Sequence, residues 1–383
     1  MLMYDKLSYW EKVTHLENID YLVLGSGIVG LNTAIALKQR QKHAKVVVLE
    51  RGYLPSGAST KNAGFACFGS PSELLVDIDL MGEEKTAELL KLRWLGLQKL
   101  LSNLGVSNLD FEKCGSYDLF RNSEIESFEN AVEQLPYLNA FIETHLGLKE
   151  CYSISEKPLN QGMQDLCGSI FNQHEGSIHT GKMMLRLYQL ALEFGVQVLH
   201  DSDVKGFWEK GNSVEVETQW GTLTAAQLLI CTNGLSQRLL PDLDLKPARA
   251  QVLVTSPIQN LSLNSTYHYD SGYYYFRVVE GNRILIGGAR NQDFEGETTE
   301  LIETSEKIKS HIINLLREVI IPNQHFQIDY EWAGIMGVGS EKMPLIGSHS
   351  SRIHYAVRMG GMGVAMGSEI GVRLAEWVFS KKC

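Results

Sequence analysis

The chain has 383 residues, with 35 Lys+Arg against 45 Asp+Glu and a formal net charge of −10. That balance argues against a dedicated nucleic-acid binder, which needs a concentrated basic footprint. The 44% hydrophobic and 21% charged content excludes a disordered or fibrous chain, and at roughly 150 residues per domain the length suits two domains or an interleaved pair.

In chain order, Ser8-Tyr9-Trp10 reads as a short amphipathic lead-in. Tyr21–Leu24 is a buried strand, Leu31–Arg40 a helix and Lys45–Glu50 a second buried strand. This is a βαβ unit, the opening of a doubly wound sheet. Glu83–Leu104 carries leucines at helical spacing, and Ser123–Leu148 is helical with a bend or break at Pro136. Lys182–Phe194 is a helix stopped by Gly195. Short strands follow at Gln197–His200, Val204–Trp208, Val214–Thr218, Gly221–Ala225 and Gln227–Thr232. From Gln251 the pattern is antiparallel, with strands at Gln251–Thr255, Gly272–Val279, Arg283–Gly287 and Phe326–Trp332 and a helix at Thr299–Glu318. His354–Val357 is the last strand and Val364–Phe379 the last helix.

The expected fold class is α/β: a Rossmann-like nucleotide-binding domain with an inserted α+β domain on a mainly antiparallel sheet. Residues 1–74, 166–246 and 331–383 are assigned to the first, and 75–165 and 247–330 to the second. The uncharged stretch Tyr21–Leu37 is broken by glycines and makes a poor membrane span. Six scattered cysteines form no CxxC pair, and residues 1–18, with Asp5, Lys6, Glu11, Lys12 and Glu17, hold no apolar leader. A cytoplasmic chain with reduced thiols and no metal site is expected.

The turn Gly25-Ser26-Gly27-Ile28-Val29-Gly30 is GxGxxG between a strand and a helix, and Glu50 ends the next strand 20 residues after Gly30. In this context Gly25 permits the tight turn, Gly27 lets backbone approach a pyrophosphate and Gly30 allows close helix–strand packing. The helix N-terminus presents unpaired N–H groups to the anion. Glu50 can accept hydrogen bonds from ribose hydroxyls and would repel a 2′-phosphate. After Glu50 comes a loop of small and hydroxylic residues: Arg51-Gly52-Tyr53-Leu54-Pro55-Ser56-Gly57-Ala58-Ser59-Thr60-Lys61-Asn62-Ala63-Gly64-Phe65.

That loop resembles the corresponding stretch of the D-amino-acid-oxidase-type flavoproteins, the group that includes glycine oxidase, sarcosine oxidase and γ-glutamylputrescine oxidase. Cys231-Thr232-Asn233-Gly234 is similar to the family's second strand-end motif. Val204 stands where the family sets short-strand backbone against adenine. Met359-Gly360-Gly361-Met362-Gly363-Val364 is similar to its C-terminal glycine turn. The resemblance spans Ser8 to about Trp377. It implies FAD, with Arg51, Ser59, Thr60, Asn62, Ala63, Gly64 and Phe65 running along the cofactor and Gly361, Met362, Gly363 and Val364 facing the flavin. It also implies oxidation of the C–N bond of a small amine or amino acid by hydride transfer to flavin N5, giving an imine that water hydrolyses. Oxygen or another acceptor then takes the electrons.

Tyr273, Tyr275 and Arg277 alternate on one strand face, and Tyr275 matches the family's active-site tyrosine, so Tyr275 and Arg277 are the expected substrate residues. Two departures stand out. Amino-acid-binding members carry an Arg shortly after Trp-Ala-Gly, where this chain has Trp332-Ala333-Gly334-Ile335-Met336. Together with Tyr275-Phe276-Arg277, Ser8-Tyr9-Trp10 and the Lys342–Gly347 segment, this is closer to the γ-glutamylputrescine oxidase branch, with Arg277, Arg290 or Lys342 open as anchors for a distal acid. Gly334 and Leu285 stand at the positions of the sarcosine oxidases' flavin-linking Cys and oxygen-activating Lys, which implies non-covalent FAD. A flavoenzyme acting on a secondary amine of modified tRNA and a non-catalytic flavin-binding protein are the alternatives. The 35 glycines cluster informatively at 25–30, 57–69 and 360–371, each expected to let backbone approach the cofactor.

Overall fold

The computed structural model describes residues 6–380; Asp5 and Cys383 lie outside them. Two large sheets organise the chain. The first runs Leu345–Ser348, Ile353–Val357, Gly221–Ile230, Ile19–Leu24, Val46–Leu49, Gln197–Leu199. From Ile353–Val357 to Gln197–Leu199 every neighbouring pair is parallel. Val46–Leu49 is buried throughout, as a sheet covered on both faces requires. The two strands expected at 221–225 and 227–232 are one, Gly221–Ile230. Its first half pairs with the antiparallel strand Ser213–Thr218 and its second half with Ile19–Leu24, and Ala225 serves both. That division of labour is why its pattern reads as two segments.

Helix Ile28–Arg40 packs on this sheet together with Gly363–Ser380. The two helices approach closely: a Cβ on Gly367 would lie 2.7 Å from Ile28 Cγ2, and one on Gly371 2.8 Å from Val29 O. These two glycines therefore serve helix packing, a correction to the expectation that the whole 360–371 cluster faces cofactor. On the other side of Gly363–Ser380 lies Glu83–Leu104, where a Gly96 Cβ would fall 2.2 Å from Ala365 O.

The second sheet runs Ile328–Val338, Lys246–Thr255, Arg283–Gly288, Tyr274–Val279, Thr266–Tyr269, Ser116–Arg121, Leu166–Asn172, Tyr152–Ile154. It is antiparallel except where Thr266–Tyr269 meets Ser116–Arg121. One face packs Ile308, Ile312 and Leu316 against Tyr267, Phe276, Ile284 and Ile286. Helix Glu306–Leu315 begins later than the expected 299, because Thr299–Thr304 forms an irregular approach. Pro136 does split its segment, sitting in the first turn of Leu135–Leu146 after Ile125–Glu133 ends. Four strands of this sheet (Ser116–Arg121, Tyr152–Ile154, Leu166–Asn172 and Thr266–Tyr269) and helix Pro71–Met81 escape the sequence pattern. Leu166–Asn172 and Ile328–Val338 both belong to the second sheet, so the expected segments 166–246 and 331–383 take in the whole of the first strand and part of the second.

Candidate active site

One row of residues crosses the second sheet on the face opposite Ile308 and Ile312. Cα pairing links Trp332 to Val252, Val252 to Gly287, Gly287 to Tyr275, Tyr275 to His268, and His268 to Asp118. Because side chains alternate along each strand, paired positions share a face. The segment Lys61–Ser72, which leaves the first sheet, runs along this row like a strap. Trp332 Nε1 donates to Lys61 O at 2.9 Å, and Phe65 lies edge-on to both Tyr275 and His268, with centroids at 5.6 and 5.1 Å. Ser72 N donates to Asp118 Oδ2 at 2.9 Å. Gly287 leaves the space that the Tyr275 ring fills, since a Cβ there would lie 2.6 Å from Tyr275 Cε2. Burial pushes the Tyr275 hydroxyl up to about 12.

Arg277, expected at the substrate, is tied to backbone carbonyls. Its Nε donates to Ala63 O at 2.8 Å and an Nη to Ile178 O at 2.9 Å. It thus holds the strap where Gly64 turns with φ +73°. Gly64 is required there, because a Cβ would fall 2.3 Å from Ile178 O. Asn62 completes the turn: its Oδ1 accepts from Gly64 N at 2.9 Å and from the Thr180 hydroxyl.

The glycine turn of the first sheet forms a cradle. Gly25 has φ +95°, and a Cβ on Gly30 would lie 1.9 Å from Gly25 O. Ile28 N donates to Ser59 Oγ at 3.0 Å, so the loop hydroxyl sits at the helix start, where first-turn amides lack partners within the helix. Glu50 is buried; its carboxylate accepts from Ser26 Oγ at 2.6 Å, Ser26 N at 3.2 Å and Gly52 N at 3.0 Å. Of about four lone-pair sites on a carboxylate, three are used in clamping the turn, so its capacity toward a ribose is smaller than its position implies. Thr60 Oγ1 bonds Pro55 O, within the loop, and Arg51 is exposed. Val204 is a core residue whose carbonyl accepts from Arg238.

A third group joins these. Thr232 borders Gly25, and Asn233 Oδ1 accepts from Arg358 N and Met359 N at 3.1 and 3.2 Å. A Gly234 Cβ would meet Met336 O at 2.1 Å, and Gly360 N donates to Gly337 O. Gly361, with φ +85°, faces Met336 Sδ, and Gly334 faces Lys61. The strand-end motif, strand Ile328–Val338 and the turn before helix Gly363–Ser380 therefore converge, and that helix aims its unpaired first-turn amides outward from Gly363. These glycine surfaces fit a flat dinucleotide whose anionic portions meet two helix starts.

Behind the row lies a buried polar group that sequence reasoning missed. Glu175 Oε1 accepts from Phe68 N and Gly69 N at 2.7 and 2.9 Å, and Oε2 from the Ser116 hydroxyl. Burial raises its carboxyl to about 7. His268 Nε2 lies 4.0 Å from Glu175 Oε2 without a hydrogen bond, and burial pulls it down to about 4. Burial also lifts Asp118 to about 6. Beside them Arg93 donates to Phe68 O and Glu73, and Lys342 pairs with Glu73 and Asp77 at 3.0 and 2.6 Å. Burial would raise Glu73, but Arg93 and then Lys342 outweigh it and hold the carboxyl down to about 2. The one signal available was Arg93, a charge on the leucine-rich face of its helix; Glu175 and His268 stand in no motif.

Residues 20–377 match the family described as FAD dependent oxidoreductase. A probable oxidoreductase OrdL of Haemophilus influenzae is 23% identical over 95% of this chain and 84% of its own length. Sarcosine oxidase subunit beta of Rhizobium meliloti is 21% identical over 88% of this chain and 78% of its own. Among solved structures, glycine oxidase from Geobacillus kaustophilus superposes with a TM-score of 0.71 at 19% identity, covering 95% of each chain.

Proposed function

Because this chain belongs to the FAD-dependent oxidoreductase family, and so is a flavoenzyme of the α/β class seen in its structural relatives, we propose that it oxidises the C–N bond of a small amine or amino acid. The observation that carries this reading is that one segment, residues 59–72, meets the glycine cradle at Ser59, strand Ile328–Val338 at Lys61 and the Tyr275 row at Phe65. Bound FAD supplies the hydride acceptor, flavin N5, and the protein binds, orients and excludes water. Gly25, Ser26, Gly27, Ile28, Val29 and Gly30 with Ser59 hold the pyrophosphate. Asn62, Ala63, Gly64 and Phe65 on one side and Gly361, Met362, Gly363 and Val364 on the other hold the flavin. Tyr275 and Phe65 bound the place of the reacting carbon. His268, neutral near pH 7, is the nearest titratable side chain on the row. The imine product hydrolyses in water.

The relatives named above as sarcosine oxidase and glycine oxidase support an amine or amino-acid donor. With Gly334 and Leu285 at the two positions that mark covalent, oxygen-activating members, FAD is held without a covalent bond, and acid precipitation releases it into the supernatant. Anaerobic mixing with a panel of primary amines, secondary amines and amino acids tests the reaction. Bleaching of the flavin by one class supports it, and a flavin that no donor in the panel bleaches refutes it.

A further inference from the structure

Three cations were open as anchors for an acidic group on the substrate, and the structure separates them. Arg277 is bound to two carbonyls of the strap and its neighbour. Lys342 is neutralised by Glu73 and Asp77. Arg290 differs from both. It follows the end of strand Arg283–Gly288, is half-buried, and its Nε is fully buried with no hydrogen-bond partner. Among the described residues no carboxylate pairs with its guanidinium. The nearby Glu297 is bidentate on Arg249, at 2.9 and 2.7 Å, and also accepts from Gln251, while Asp270 accepts from Asn291 at 2.7 Å. Its guanidinium instead stands over the face of Phe294, with the ring centroid 4.9 Å from the guanidinium carbon.

A half-buried guanidinium gives up hydration, and an aromatic face returns only part of it. Burial accordingly lowers its affinity for the proton. Elsewhere in this fold the buried or half-buried arginines at 93, 121 and 249 each have a carboxylate. The planar fork of Arg290 suits a carboxylate, which it can grip with two parallel bonds.

The location completes the case. Ala289 N donates to Tyr273 O at 2.8 Å, which sets Arg290 next to Tyr273, and Phe294 lies edge-on to the Tyr273 ring at 5.7 Å. Tyr273 closes the turn just before strand Tyr274–Val279, two residues from Tyr275. We infer that Arg290, seated on Phe294 beside Tyr273, anchors a carboxylate that the substrate carries several bonds away from its reacting C–N bond. The inference rests on the amine-oxidation reading and narrows it to amines bearing a remote carboxylate.

Calorimetric titration of the FAD-loaded protein with hexanoate and with hexanamide tests this without turnover. Wild type binds hexanoate and not hexanamide. Arg290→Gln weakens hexanoate about 10- to 100-fold, the range of a lost charge-assisted hydrogen bond, and Arg290→Lys recovers part of it. Both variants melt cooperatively and close to wild type, because among the described residues only the Phe294 face contact is altered. Equal hexanoate binding by wild type and Arg290→Gln overturns the inference, as does a wild type that binds neither probe. Anaerobic bleaching is scored separately. Arg290-dependent carboxylate binding in a protein that no amine bleaches leaves the anchor standing and removes the reaction. Bleaching with equal KM for an aminocarboxylate and its carboxamide does the reverse.

Discussion

His268 and Tyr275 face each other across adjacent antiparallel strands, and both rings stand edge-on to Phe65. One aromatic residue of the strap thus reads two neighbouring positions of the second sheet. This joins the loop that follows the nucleotide fingerprint to the only two side chains of the row with ring-borne polar atoms and no bound partner for them, the Tyr275 hydroxyl and His268 Nε2, among the described residues.

Tyr275→Phe separates packing from chemistry. The hydroxyl has no hydrogen-bond partner among the described residues, so its removal leaves stability within about 0.5 kcal/mol, as for a substitution that breaks no bond. If the hydroxyl meets the substrate, anaerobic flavin reduction slows about tenfold or more. Stopped-flow reduction at saturating donor, beside a thermal melt, gives both readings; an unchanged reduction rate removes Tyr275 from the reacting site.

Glu175 and His268 respond to pH in opposite senses. Glu175 has its folded pKa raised to about 7 by burial, so the stability it contributes is present below its unfolded value and declines as pH rises toward 7. Replacing it with Gln, which can accept the Phe68 and Gly69 amides without ionising, moves the variant's stability up relative to wild type by about 1.4 kcal/mol per pH unit between about 4.5 and 7. His268 has its folded pKa lowered to about 4 by burial, so its contribution is present above about 6.5 and is lost as pH falls. For His268→Asn the difference from wild type moves in the variant's favour as pH drops from about 6.5 to 4. Urea denaturation in buffers across that range measures both, and parallel pH profiles for all three proteins contradict the assignment.

Arg277→Gln tests a positioning role against a substrate role. The guanidinium's bonds to Ala63 O and Ile178 O hold the strap at Gly64. Their loss costs about 1.5–3 kcal/mol and lowers FAD retention on dilution, with donor KM changed less than melting temperature. A raised KM at unchanged melting temperature and full flavin content would falsify the positioning role.

Gly30→Ala is expected to yield colourless or weakly coloured protein. The new methyl would lie 1.9 Å from Gly25 O and 3.1 Å from Gly25 C, both backbone atoms that cannot swing aside. The cost of about 1–3 kcal/mol for such overpacking opens the turn that Gly25 shapes. The ratio of visible flavin absorbance to protein absorbance in the purified variant decides it, and a wild-type ratio contradicts this account of the turn.

Sequence pattern alone was enough for what depends on short-range chemistry. The strands and helix of the βαβ opening, the glycine turn, the helix break at Pro136 and the glycines before the last helix are each written in neighbouring residues, because turn, cap and helix spacing act over a few positions. What only the tertiary structure decided depends on which distant segments meet. Arg277 belongs to the strap because Ala63 and Ile178 bring carbonyls to it. Gly367 and Gly371 serve helix packing because Ile28 and Val29 lie opposite. Glu175 and His268 become a buried pair only when Ser116, Phe68 and Gly69 close around them. Arg290 stands apart from Arg277 and Lys342 because the fold brings carboxylates or carbonyls to those two and an aromatic face to Arg290. A side chain's partners across the sheet are set by strand register, and register is decided by the packing of the whole face rather than by the residues beside it in sequence.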